Sequence, residues 1–158
     1  MPTFDIVRSS LSDYYRMIQA NVHQLTAPLS SEQLWVRPYP YGNSIGNLIL
    51  HLTGNLNYYV GSQIGGSGYV RHRDLEFSDT GQPKETLLKD FDQAIEIVVA
   101  TIAKQSDEDW PAPFSAATLP ECKTRYAAIF NCAAHAYHHV GQIIYLQREL
   151  LGGGPGER

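Results

Sequence analysis

The 158-residue sequence predicts an all-α fold, a four-helix bundle with long crossover connections. Three observations predict it. Apolar residues return at steps of three and four over four long stretches, which is the helical period. No stretch alternates apolar and polar residues as a half-buried strand does. Two long connections rich in Gly, Pro and Ser separate the stretches, as crossovers do in a bundle.

The first stretch carries Phe4, Val7, Leu11, Tyr14, Ile18 and Val22 on one face and predicts an amphipathic helix over residues 4–25. "APLSSEQLWVRPYPYGN" then breaks the period before Ile45, Leu48, Ile49, Leu52, Leu56 and Tyr59 resume it, predicting a second helix over 44–63. "GGSGYVRHRDLEFSDTGQP" has no sustained period and reads as a long irregular crossover; loops of that length in a compact domain usually have a function. Leu88, Phe91, Ile95, Val98 and Ile102 predict a third helix over 85–104. After a second irregular stretch, "SDEDWPAPFSAATLPE", a fourth helix is expected over 124–151, with Thr124 as its cap. The domain is therefore expected to span residues 1–151, with 152–158, "GGGPGER", as a flexible tail.

The composition narrows the function. Twelve Lys and Arg against sixteen Asp and Glu give a net charge of -4, and no basic cluster is dense enough to follow a phosphate backbone. Nucleic acid is not an expected partner. Nothing approaches the roughly 20 uninterrupted apolar residues of a membrane span, and the start "MPTFDIVRSS" has no basic segment followed by an apolar run. Cys122 lies just before the start of the fourth predicted helix and Cys132 in its middle, too far apart along its axis for an undistorted disulfide. A cytoplasmic protein with reduced thiols is expected.

Chemistry concentrates in "NCAAHAYHHVGQIIYL", residues 131–146, where His135, His138 and His139 interrupt an apolar helix. At about 100° per residue, His135 and His139 share a strip flanked by Asn131, Cys132, Gln142 and Leu146. Beside it runs a wider stripe of Tyr126, Ile129, Phe130, Ala133, Ala136, Tyr137, Val140 and Ile144, expected to anchor the helix in the core. On a third side Ala127, Ala134 and Gly141 repeat every seven residues and would admit a close helix neighbour, of this chain or of a second copy. In the second helix His51 sits with Asn47, Asn55 and Tyr58 beside the apolar band, so packing the two bands together brings three imidazoles into range of one another.

Histidines at i and i+4 lie one turn apart and can reach one ion, and three imidazoles leave a fourth position for water or substrate. His51, His135 and His139 are therefore candidate metal ligands. The spacing equally allows core-edge imidazoles hydrogen-bonded to Asn and Tyr. His138 turns about 60° the other way and is expected beside the ligands rather than among them. Cys132 reads as a small buried hydrophobe. His-Glu-x-x-His is absent, because Ala136 follows His135; so are the Glu-x-x-His pairs of di-iron bundles, G-x-S-x-G and a phosphate-binding glycine loop.

With these residues assembled, "LSSEQLWVRPYPYGNSIGNLILHLTGNLNYYVG" and "HAYHHVGQIIYL" resemble the DinB-like superfamily of four-helix bundles over nearly the whole chain. The resemblance implies that His51, His135 and His139 bind one divalent metal, zinc or nickel foremost, with iron or manganese as alternatives. It also implies a thiol S-transferase in which the metal activates a low-molecular-weight thiol. Two positions depart from the family's habit: Ala136 stands where an acidic residue often follows the first histidine, and Val140 where Arg often follows the second. Asn47, Asn55, Tyr58, His138 and Gln142 are expected to support the ligands or touch a small-molecule substrate; catalytic residues are not assigned. A metal-dependent hydrolase at the same site and a non-catalytic metal-binding or dimerisation module are the competing readings. A homodimer is expected from the apolar faces and the small-residue ridge.

Overall fold

The computed structural model of the chain describes residues 4–152; six residues of the expected tail, 153–158, lie outside that range. Among the described residues the fold is all-α, with no strand beyond one isolated bridge between Pro113 and Thr124. The elements are α1 (Asp5–Thr26), a single turn α2 (Ser31–Leu34), α3 (Ile45–Leu56), α4 (Arg73–Ser78), α5 (Lys84–Lys104) and α6 (Arg125–Leu150).

Capping explains several of the boundaries. Ser44 accepts a bond from the Asn47 amide at the start of α3, and Thr124 accepts one from the Ala127 amide at the start of α6, as expected for Thr124. Ser30 and Gln33 form a reciprocal capping box on α2. α1 packs on both α5 and α6, and α3 packs on the same two helices. The core lies between them, with Tyr15 and Ile18 from α1, Ile49 and Leu52 from α3, Phe91 and Ile95 from α5, and Ala133 and Ala136 from α6. Each large apolar side chain fully buried there contributes about 1.5–3 kcal/mol.

Four details differ from the sequence reading. α3 does not continue as a uniform helix to residue 63: Asn57–Ser62 is a π-helical turn, with the Gln63 amide bonded to the Tyr58 carbonyl and Gly65 to Val60. This wider turn lies against α5, where a Cβ on Gly61 would stand 3.0 Å from Ile97. The crossover is not irregular throughout, because α4 forms inside it. On α1 the buried tyrosine is Tyr15, whose hydroxyl donates to the Ile129 carbonyl at 2.7 Å, while Tyr14 is half-buried.

The fourth difference is the rotation of α6. Its buried face comprises Ala128, Ile129, Cys132, Ala133, Ala136, Val140, Ile143 and Leu146, whereas Tyr126, Phe130 and Tyr137 are 40%, 54% and 47% exposed. The buried arc is centred about 70° nearer the histidine strip than the widest apolar stripe suggests. The small side chains Ala128, Cys132 and Ala136 allow close packing there, and the aromatic residues are left at the far rim. On the ridge Ala127, Ala134 and Gly141, Ala127 packs against the edge of the core and Ala134 is exposed, while a Cβ on Gly141 would meet nothing within 4 Å among the described residues.

Candidate metal centre

α3 brings His51 to the α6 strip, and the three expected imidazoles meet. His135 Nε2 stands 3.3 Å from His51 Nε2 and 3.1 Å from His139 Nε2. One ring nitrogen from each of the three lies within 4.8 Å of the others. The rings meet nearly edge to face, at interplanar angles of 74°, 85° and 89°.

The outer nitrogens settle which lone pairs face inward. His51 Nδ1 donates to Glu76 Oε2 at 2.8 Å, and His139 Nδ1 donates to Gln142 Oε1 at 2.7 Å. A carboxylate and an amide oxygen only accept, so both imidazoles carry their proton on Nδ1 and turn an Nε2 lone pair towards His135. His135 has one Nε2 and can donate to only one of them. A cation satisfies all three at once, and the three-nitrogen donor set suits a divalent ion such as zinc. The cluster could therefore hold a metal.

The protonation states agree with this role. Burial, and then the neighbouring His139 and His51, push the His135 imidazole down to about 4, and burial lowers His139, partly opposed by its bond to Gln142. Both stay neutral, the form that ligates, near neutral pH. Burial would raise the Glu76 carboxyl, but hydrogen bonds from His51 and Arg71 outweigh it and hold Glu76 below the ordinary range.

Glu76 comes from α4 and is held by Arg71, whose Nε and Nη2 lie 2.6 and 2.8 Å from its two oxygens. Arg71 Nη2 also approaches His51 Nδ1 at 3.3 Å. Both are donors converging on the same carboxylate, so this is a shared acceptor and not a further bond. The approach needs Gly54: a Cβ there would lie 2.0 Å from Glu76 Oε1.

The remaining expected residues divide by position. Asn47 donates from Nδ2 to the carbonyls of Glu76 and Asp79 at 3.0 and 2.9 Å and so ties α4 to α3. Gln142 orients His139. Asn55 and Tyr58 line a cavity of about 520 Å³ together with His51 and His135. The π-helical turn places Tyr58 and Tyr59 on this cavity in succession, their rings 5.0 Å apart. His138 is exposed, touches His139 edge-on and lies outside the cluster. Cys132 is buried away from the cluster, its thiol pushed up to about 12 by burial.

Sequence reasoning missed Glu76, Arg71 and Gly54. Two signals were available. A glycine inside a buried helix costs about 0.5–1 kcal/mol and implies that something comes close, and the long crossover carries a dense charged run, "RHRDLE".

Fold and site together define an all-α protein with a three-histidine cluster that could hold one metal ion. The chain belongs to the family described as "Protein of unknown function (DUF1572)", whose model matches residues 3–154. Its fold is similar to that in the crystal structure of a conserved protein from Enterococcus faecalis, with a TM-score of 0.75 over 96% of this chain and 99% of that one at 14% identity. No curated protein matches it at a significant level.

Proposed function

We propose that the protein is a metal-dependent thiol S-transferase of the DinB-like four-helix-bundle type. The observation that carries the reading is the convergence of the His51, His135 and His139 Nε2 atoms, two of them with their Nδ1 protons already committed to Glu76 and Gln142. These three residues would hold one divalent ion, zinc or nickel foremost, with iron or manganese as alternatives. When bound, it lowers the proton affinity of a coordinated thiol, so that thiolate is present near neutral pH.

The chain's own groups do the rest. Glu76 and Gln142 keep His51 and His139 in the ligating tautomer and orientation. Arg71 keeps Glu76 ionised, and the adjoining cavity receives the thiol and the electrophile that its sulfur attacks. Ala136 and Val140, the two departures from the family's habit, are hydrocarbon side chains buried in the core, so no charged group reaches the site from those positions. The pair Arg71–Glu76 from the crossover provides charge beside the site instead. A hydrolase would need a base within reach of a bound water. None of the described residues lining the cavity is acidic, and Glu76 faces the outer nitrogen of His51. A metal-binding or dimerisation module without turnover is the other alternative, and activity decides against it or for it. A cytoplasmic homodimer, with the aromatic residues and small-residue ridge of α6 as its contact, belongs to the same proposal.

The test is metal analysis of untagged protein together with conjugation of a low-molecular-weight thiol to an electrophile. The zinc- or nickel-loaded protein should bind one ion per chain and accelerate conjugation, and His135→Ala should do neither. Stoichiometric metal with no acceleration across a panel of thiols would reject the transferase and leave the non-catalytic module.

A further inference from the structure

The cavity beside the histidine cluster has polar capacity that the fold does not use. Arg71 is committed to Glu76, but Arg73, which also lines the cavity, has no carboxylate partner among the described residues and rests over the Phe77 ring at 5.1 Å. With no acidic lining residue, Arg73 leaves the cavity mouth cationic. Asn55 is only 7% exposed and its Oδ1 is buried without a hydrogen-bond partner. Such atoms cost about 1–3 kcal/mol each when left unsatisfied, and they concentrate where a ligand completes them. The terminal torsion of Asn is broad, so the Asn55 amide turns towards a ligand at little cost.

We infer that this cavity binds a small molecule carrying both a carboxylate and a secondary amide: Arg73 pairs with the carboxylate, and Asn55, its amide turned, accepts the amide N–H. The chemical class is an N-acylated amino acid or short peptide. The inference deepens the thiol-transferase reading by naming the kind of molecule its site receives, and only the part played by a thiol in that molecule rests on that reading. The parts assigned to Arg73 and Asn55 stand without it.

The test is titration of the zinc-loaded protein, followed by NMR, with N-acetylcysteine, N-acetylcysteine amide and N-acetylalanine. The parent should bind N-acetylcysteine about tenfold more tightly than its uncharged amide, the size of one charge-assisted contact. Arg73→Gln, at an exposed position, should erase that preference and Arg73→Lys should keep part of it. Asn55→Ala should weaken acid and amide alike. N-acetylalanine, which has no thiol, should show the same dependence on Arg73 with and without zinc. Equal binding of acid and amide by the parent, or a preference that survives Arg73→Gln, would overturn the inference. If instead the cysteine and alanine probes bind alike while both need Arg73, the carboxylate site stands and the metal-thiol reading fails.

Discussion

Gly54 and Glu76 fit together as a missing side chain and the group that occupies its place. A Cβ on Gly54 would stand 2.0 Å from Glu76 Oε1, closer than any real contact, and the other Glu76 oxygen takes the Nδ1 proton of His51, three residues before Gly54. Helix α3 thus surrenders one side chain so that a carboxylate from the crossover can reach the back of its histidine.

Gly54→Ala should therefore weaken metal binding without unfolding the protein. Alanine favours a helix over glycine by about 1 kcal/mol, which offsets part of the clash. Displacing the carboxylate that orients a ligand typically costs about 10–100-fold in metal affinity. A competitive zinc titration, read beside the melting temperature, checks both; affinity equal to the parent would show that Glu76 does not orient His51.

Single replacement of His51, His135 or His139 by Ala should abolish stoichiometric metal binding, because two imidazoles and solvent make a weak site. His138→Ala and Cys132→Ala should retain the ion, His138 being exposed outside the cluster and Cys132 buried as a neutral thiol. Metal content measured after dialysis decides. Loss of the ion from His138→Ala with retention in His139→Ala would mean that the ligand register is wrong.

Removing the metal should lower thermal stability. An ion bound by the folded chain and not by the unfolded one adds about 2.7 kcal/mol at a free concentration of 100 Kd, so the melting temperature should rise with added zinc and fall back with a chelator. A melting temperature indifferent to both would count against a folded-state site.

The thiols of Cys122 and Cys132 should resist alkylation in the native protein. They are 3% and 0% exposed, and burial raises both above the ordinary thiol range, Cys132 to about 12, so at pH 8 each is protonated as well as covered. Mass spectrometry after brief iodoacetamide treatment should find both cysteines largely unmodified, and both modified in denaturant. Fast native labelling of Cys132 would show that α6 opens readily.

The helices and the three histidines were legible in the sequence because both depend on local spacing. A period of three to four marks α1, α3, α5 and α6 whatever they pack against, and the i, i+4 relation of His135 and His139 puts them on one strip of any helix. The absence of strand alternation likewise excluded a sheet. What a period cannot supply is the direction in which a helix finally packs. On α6 the wide apolar stripe included Tyr126, Phe130 and Tyr137, yet the buried arc lies nearer the histidines, because its small side chains let the neighbouring helices come closest there. On α3 the π-helical turn shifts the frame after Leu56, a slip no regular wheel contains. The arrangement behind His51 belongs wholly to tertiary structure. Glu76 lies 25 positions from His51 in the chain. Only the packing of α4 onto the bare face at Gly54, with Asn47 holding its carbonyls and Arg71 its charge, converts a carboxylate in a connecting segment into the partner of a candidate metal ligand.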